Sequence, residues 1–306
     1  MLIQQRKESK ELKILRCLHA RMDLSAKEKQ HYANLEKGYE GERKFDELLA
    51  DLPNDWLILN DLLFERNCTE FQIDSLLFSD NTFIMFEIKN FAGDYSVDKE
   101  KWYTTSGVEI TSPLSQLNRC ETLLSNLLKE LGLFYPIKSY LVFINPEFTL
   151  YQAPYDKSII FPTQLERFMK NLKTKSSKVT DKHMKTVEKL VAKHLQESSF
   201  SRVSKYEYDQ LKKGITCTQC NSFMVRMDER NLFCTECNCR EKVNFAVLRS
   251  VMEYQLLFPG QKITTSSIHD WCGVVESKRT IWRILRKNFR LVGHTQRSNY
   301  IIEENA

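Results

Sequence analysis

Residues 1–33 are polar and helix-favouring and read as an N-terminal helical segment. From Leu35 to Leu49 a second helix is predicted, with Phe45, Leu48 and Leu49 on its apolar side, broken near Pro53. Trp56-Leu57-Ile58-Leu59 is a short apolar run of strand type. Two longer runs follow, Gln72 to Phe78 and Thr82 to Asn90, separated by Ser79-Asp80-Asn81, and these read as a β-hairpin. Residues 91–111, with Gly93, Trp102 and Gly107, read as loop and short strand. Ser112-Pro113 then supplies an N-cap and a first-turn proline. The helix after it carries Leu114, Leu117, Leu124, Leu128 and Leu131 at helical spacing and stops at Gly132. Ile137 to Ile144 is a strand ended by Asn145-Pro146. Residues 147–197 extend this α-β-β-β-α-β order with a strand at Ser158 to Phe161 and one or two lysine-rich helices. A polar linker is expected over 198–212.

The hairpin carries chemistry as well as pattern. With Asp80-Asn81 as a two-residue turn, cross-strand partners sum to a constant, setting Asp74 opposite Glu87 and Gln72 opposite Lys89. Opposed Cβ atoms lie about 4.5–5.5 Å apart, where like charges repel. A divalent cation between the carboxylates removes that repulsion. Strand alternation puts Lys89 on the face of Glu87. Phosphodiester hydrolysis needs neutralised phosphate charge and an aligned water. Asp74 and Glu87 are therefore candidates to hold one or two Mg²⁺ (or Mn²⁺) ions, with the Ile88 carbonyl as a further ligand. Lys89 is placed to orient or deprotonate the water, or to stabilise the transition state. Gln116 and Gln72 are placed to reach the same face. The plainer alternative is an ordinary solvated strand face, with Gln116 a helix-surface amide.

With these residues in order, the stretch from Gly38 to about Ile144 resembles the nuclease-related domain (NERD), a branch of the PD-(D/E)XK nuclease superfamily. The matching pieces are Gly38-Tyr39-Glu40-Gly41-Glu42, Gln72-Ile73-Asp74, Glu87-Ile88-Lys89-Asn90-Phe91-Ala92-Gly93, Trp102 and Pro113-Leu114-Ser115-Gln116. The resemblance implies an α/β fold, a restriction-endonuclease-like mixed sheet flanked by helices. It implies Glu42, Asp74, Glu87, Lys89 and Gln116 at the site, Glu42 as a metal-facing carboxylate from the first helix. The alternative for Glu42 is a helix N-terminal carboxylate facing the helix dipole. Ile73 stands where the superfamily pattern has proline. Asn90, Gly93 and Trp102 are expected to shape the loop.

Of the nine cysteines, Cys217-x-x-Cys220 and Cys234-x-x-Cys237 form two knuckles at zinc-ribbon spacing, expected to close a structural Zn²⁺ site over 213–245. Cys239 is the alternative fourth ligand, and a redox pair is the competing chemistry. Residues 246–306 read as helices at Phe245 to Leu257, Thr264 to Trp271 and Ser277 to Asn288, followed by a hairpin over Phe289 to Ile302, a winged-helix-like pattern. Lys278, Arg279, Arg283, Arg286 and Lys287 lie mostly off the last helix's core stripe and suit phosphate contacts in DNA. Trp282 reads as core and His294 as surface.

Overall charge changes this picture little. The net charge is +5 over 306 residues, but from Phe200 onward 17 Lys/Arg stand against 11 Asp/Glu, so the excess is in the last third. No apolar run approaches a membrane span, and the N-terminus lacks a signal-type apolar core, giving an expectation of a cytoplasmic protein. The expected domains are 1–33, 34–197, 213–245 and 246–306. The expected function is a metal-dependent nuclease acting on DNA. Its alternative is a catalytically inert DNA-binding or adaptor protein on the same fold.

Overall fold

The computed structural model describes residues 1–174, 178–198, 202–226, 228, 230–293 and 298–302. The chain divides into two compact units, Met1–Lys10 with Ala33–Ser201, and Glu11–Tyr32 with Arg202–Ala306. The polar first 33 residues are thus not one helical segment. They hold strand β1 (Leu2–Gln4), helix α1 (Lys10–Arg21) and the start of α2 (Ala26–Ala50), and the division falls inside α2.

The first unit is built on a mixed sheet of β1, β2 (Leu57–Arg66), β3 (Thr69–Ser79), β4 (Thr82–Lys89), β8 (Ile137–Phe143) and β10 (Ile159–Ile160), in the order β1-β2-β3-β4-β8-β10. β2, β3 and β4 run antiparallel, while β4 pairs in parallel with β8, and β8 with β10. Asp80 (φ 48°) and Asn81 (φ 53°) are both left-handed, as the two-residue hairpin turn requires. β4 lies inside the sheet and is buried on both faces, so it reads as a continuous apolar run rather than an alternation.

Helices cover both faces. On one side Leu117 and Leu124 of α3 (Pro113–Glu130) and Val187 and Leu190 of α5 (Asp181–Val191) pack on Phe78, Phe83 and Met85. On the other, Phe45 and Leu49 of α2 and Met169 and Leu172 of α4 (Pro162–Lys173) pack on Leu77, Ile84 and Phe86. Each such fully buried side chain contributes about 1.5–3 kcal/mol of transfer free energy. The stretch expected as loop, 91–111, instead forms β5 (Gly93–Asp98), β6 (Lys101–Thr104) and β7 (Glu109–Ile110). With β9 (Phe148–Tyr151) these make a second sheet, β7-β6-β5-β9. Trp102 is buried there and stacks on Phe143.

The second unit holds α1, a three-stranded sheet of β11 (Val225–Arg226), β12 (Asn231–Phe233) and β13 (Arg240–Lys242), helices α6 (Val243–Leu257), α7 (Thr265–Cys272) and α8 (Lys278–Asn288), and a hairpin of β14 (Arg290–Val292) and β15 (Asn299–Ile301). Arg21 is fully buried in it. Its guanidinium donates to Glu253 and to the carbonyls of Lys212 and Gly214, and lies 4.0 Å above the Trp271 ring. The polar stretch 198–212 is not a free linker where it is described, since Tyr206 and Tyr208 pack on this core and the Tyr206 hydroxyl donates to the Leu257 carbonyl. His294 lies outside the described residues. Among the described residues no helix is long and apolar enough to cross a membrane.

Candidate nuclease-type site and metal centre

The site begins with an irregularity shared by two strands. β2 and β3 hold one register from Leu57↔Phe78 to Arg66↔Thr69. Even so, Leu59 and Leu62 enter the same core, as do Ile73 and Leu76, where strict alternation would send each pair to opposite faces. The shift falls at Asp61, left-handed at φ 58°, and at Asp74 across from it. There β3 also leaves β4, whose pairing ends at Ser75↔Phe86. Beyond that point the Asp74 carboxylate replaces a strand carbonyl, its Oδ2 accepting from the Ile88 N–H at 2.7 Å.

The ladder keeps the sum that the turn predicts as far as Ser75↔Phe86, and the next step, Asp74 opposite Glu87, is not a ladder pair. Gln72 does not oppose Lys89. The strands have separated, and Gln72 instead donates to Asp61 at 2.8 Å. Lys89 Nζ donates to Glu87 Oε1 at 2.6 Å and to Gln116 Oε1 at 3.0 Å. Gln116 reaches it from the first turn of α3, which is set by the Ser112 cap and Pro113. Asp74 and Glu87 are only 8% and 3% exposed, which removes the solvated-face reading.

Glu42 lies deep inside α2 rather than at a helix N-terminus, because that helix begins at Ala26 and not near Leu35. The helix dipole therefore does not account for it. A residue that sequence reasoning missed does: Arg6, just after β1. Its guanidinium donates to Glu42 (2.7 Å), twice to Asp46 (2.8 and 3.0 Å), to the Asp74 carbonyl (2.7 Å) and to Ser75 Oγ (3.2 Å). One buried cation thus ties α2 to the point where β3 bends. Gly41 permits the approach of α2 on the other side. A Cβ there would sit 2.5 Å from the Asn90 Cβ. Asn90 in turn donates to the Lys37 carbonyl and accepts from Asn145.

Electrostatics follow from this burial. Desolvation, then repulsion from Asp74, pushes Glu42 up to about 8 and Glu87 up to about 7. Desolvation also raises Asp74. Burial works against the Lys89 ammonium, but Glu87 and Asp74 outweigh it and raise its pKa. Arg6 is likewise raised, with Asp46 and Glu42 overcoming burial. Glu42, Asp46, Asp74 and Glu87 exceed the positive charge of Arg6 and Lys89. A divalent cation bound beside them would favour their ionised forms.

Residues 37–144 match the family model described as nuclease-related domain (NERD), about a third of the chain. No curated protein and no solved structure matches. The matched segment contains Glu42, Asp74, Glu87, Lys89 and Gln116, whereas Arg6 lies before it.

In the second unit, Cys217, Cys220, Cys234 and Cys237 bring their sulfurs within 4.8 Å of one another. Among the described residues they form the metal-type cluster of three or more ligands at that spacing. Glu42, Asp74 and Glu87 do not meet it. The Sγ atoms of Cys217 and Cys237 lie 3.5 Å apart and those of Cys220 and Cys234 3.4 Å apart, with all four thiols free. A Zn–S bond of about 2.3 Å in a tetrahedron spaces sulfurs by about 3.8 Å, so the cage could hold zinc with all four positions filled. Cys239 stands outside it, its Sγ turned to the Arg240 carbonyl.

On α8, Ile281, Ile284 and Leu285 are buried, and Lys278, Arg279, Arg283, Arg286 and Lys287 are exposed. Trp282, expected in the core, is 44% exposed and has the Arg286 guanidinium 5.6 Å from its ring. Trp271 fills the core position instead.

Proposed function

We propose that the first unit is a metal-dependent nuclease that hydrolyses phosphodiester bonds in DNA, and that the basic face of α8 helps hold the nucleic acid. The observation that carries this reading is the buried excess of carboxylates around Lys89, within the segment that matches the nuclease-related domain. Asp74 and Glu87 would hold Mg²⁺ or Mn²⁺, with Glu42 and the Ile88 carbonyl as further ligands. The bound ion would neutralise phosphate charge and acidify a water. Without the ion, Glu87 and Asp74 raise the Lys89 pKa. Its place beside Glu87 and Gln116 lets it orient or deprotonate the water, or stabilise the phosphoryl oxygens in the transition state. Gln116 and Glu87 fix the ammonium in place. The thiolate cage would hold structural Zn²⁺, and unpaired thiols used this way suit a cytoplasmic setting.

The test is cleavage of linear, circular and single-stranded DNA with and without Mg²⁺ or Mn²⁺. Asp74→Ala and Glu87→Ala should abolish metal-dependent cleavage, and Lys89→Ala should bind but cut poorly. Wild-type rates in both carboxylate variants would sink the assignment. The alternative, an inert nucleic-acid-binding protein, draws on the exposed Trp282 among the α8 bases. It predicts salt-sensitive binding weakened by replacing Arg279 and Arg283, with no cleavage by the parent.

A further inference from the structure

A groove of about 610 Å³ lies between the loop after α3 and the exposed face of α5, both in the first unit. Its described lining includes Lys182, Lys185 and Lys189, at helical i, i+3 and i+7 spacing, and no carboxylate. The other wall is Phe134 and Tyr135. Phe134 is 80% exposed, although it follows the buried Leu133 and precedes a tyrosine packed on Phe78 and Phe83. Its backbone is therefore fixed while its ring stands in water. The Tyr135 hydroxyl is within hydrogen-bond distance of Thr186, and Lys182 Nζ lies 6.0 Å from the Tyr135 ring, so the two walls are joined at their base.

The groove and the carboxylate site share one side of the sheet. Phe83, Met85 and the α5 residues Val187 and Leu190 belong to one core, and Glu87 falls on that face by strand alternation. Tyr135 stands just before Ile137, which pairs with Phe83, whereas Glu87 pairs with Leu141. Four residues of strand rise separate the Ile137 and Leu141 levels by roughly 13 Å, and the groove residues Phe134 and Tyr135 lie beyond the Ile137 end.

A row of ammonium groups beside a solvent-facing aromatic is the chemistry that holds single-stranded nucleic acid, phosphates on the lysines and a base on the ring. We propose that this groove binds an unpaired strand of the nuclease substrate, a few nucleotides from the scissile bond. The protein would then act on nucleic acid with a single-stranded extension in preference to blunt duplex. The inference rests on the nuclease reading of the first unit.

The test uses the full chain carrying Glu87→Gln, so that binding is read without cleavage. Fluorescence anisotropy would compare a blunt duplex with the same duplex bearing a single-stranded extension, over about 50–200 mM salt. The parent should prefer the extended duplex. Phe134→Ala should lower affinity for it by about tenfold, the loss of one stacked base. Replacing Lys182, Lys185 and Lys189 together by Gln should reduce the salt slope by about 2, at about 0.7 per contact, and replacement by Arg should restore it. Equal affinity for both substrates in the parent, an unchanged preference in Phe134→Ala, or an unchanged salt slope in the Gln variant would overturn the proposal. Metal-dependent cleavage by the wild-type chain, lost in Asp74→Asn, would leave the nuclease reading standing in each of those cases. A parent that binds neither substrate would also overturn it, while the nuclease reading is judged by cleavage in the wild-type chain.

Discussion

Glu87→Gln should make the metal-free protein more stable at pH 8. The folded environment raises the Glu87 pKa from 4.5 to about 7, through desolvation first and then Asp74, despite the Lys89 contact at 2.6 Å. A carboxyl group with a raised folded pKa binds more protons folded than unfolded. Its ionised form therefore destabilises the fold. The cost sets in as pH rises above about 4.5 and is complete above about 7. At 1.36 kcal/mol per pH unit this comes to about 3 kcal/mol. Glutamine keeps an oxygen for Lys89 and removes the charge. The assay is urea unfolding of parent and variant in magnesium-free buffer from pH 4 to 8. Their stability difference should shift by about 3 kcal/mol in favour of the variant across that range. Millimolar Mg²⁺ should then stabilise the parent at pH 8, by about 2.7 kcal/mol at a hundredfold excess over Kd, and leave the variant nearly unmoved. A variant less stable than the parent at pH 8, or stabilised equally by Mg²⁺, would refute the electrostatic account.

Arg6→Met should cost about 1–3 kcal/mol, because the partly buried Glu42 and Asp46 lose their guanidinium partner. Arg6→Lys should recover part of this but not the paired donors, and urea unfolding of both variants checks it. Gly41→Ala should destabilise by about 1–3 kcal/mol, since the new methyl meets the Asn90 Cβ at 2.5 Å, and cleavage should fall through kcat rather than KM. Cys237→Ser should lose bound zinc and the thermal transition of the second unit, whereas Cys239→Ser should keep one zinc per chain by metal analysis.

The hairpin was legible because its signal is local. Asp80 and Asn81 accept left-handed backbone, and the flanking runs are long and apolar, so the register from Ser79↔Thr82 to Ser75↔Phe86 follows from counting. The cysteine cage was legible for the same reason, as spacing alone defines a knuckle. What escaped is non-local or depends on a single backbone angle. Nothing near Arg6 in the sequence marks it as the buried partner of α2, because its carboxylates come 36 and 40 residues later. β1 has three residues and is held by pairing with β2 rather than by its own pattern. β5, β6, β7 and β9 are two to six residues long, too short for alternation to emerge. The opposition of Gln72 to Lys89 failed because counting assumes a continuous ladder, and the strands part at Asp74. Residue type alone places Trp282 in the core, while the core stripe of α8 is complete without it.

The carboxylate that accepts the Ile88 amide couples architecture to chemistry at one position and leaves them separable at another. Removing Asp74 would open a seam in the sheet as well as empty the proposed metal-ligand position, so an alanine there confounds two losses, and asparagine is the cleaner probe. Lys89 carries no such duty to the backbone through its ammonium. A lineage drifting toward a silent scaffold would be expected to shed that lysine first and to retain the aspartate long after catalysis had gone.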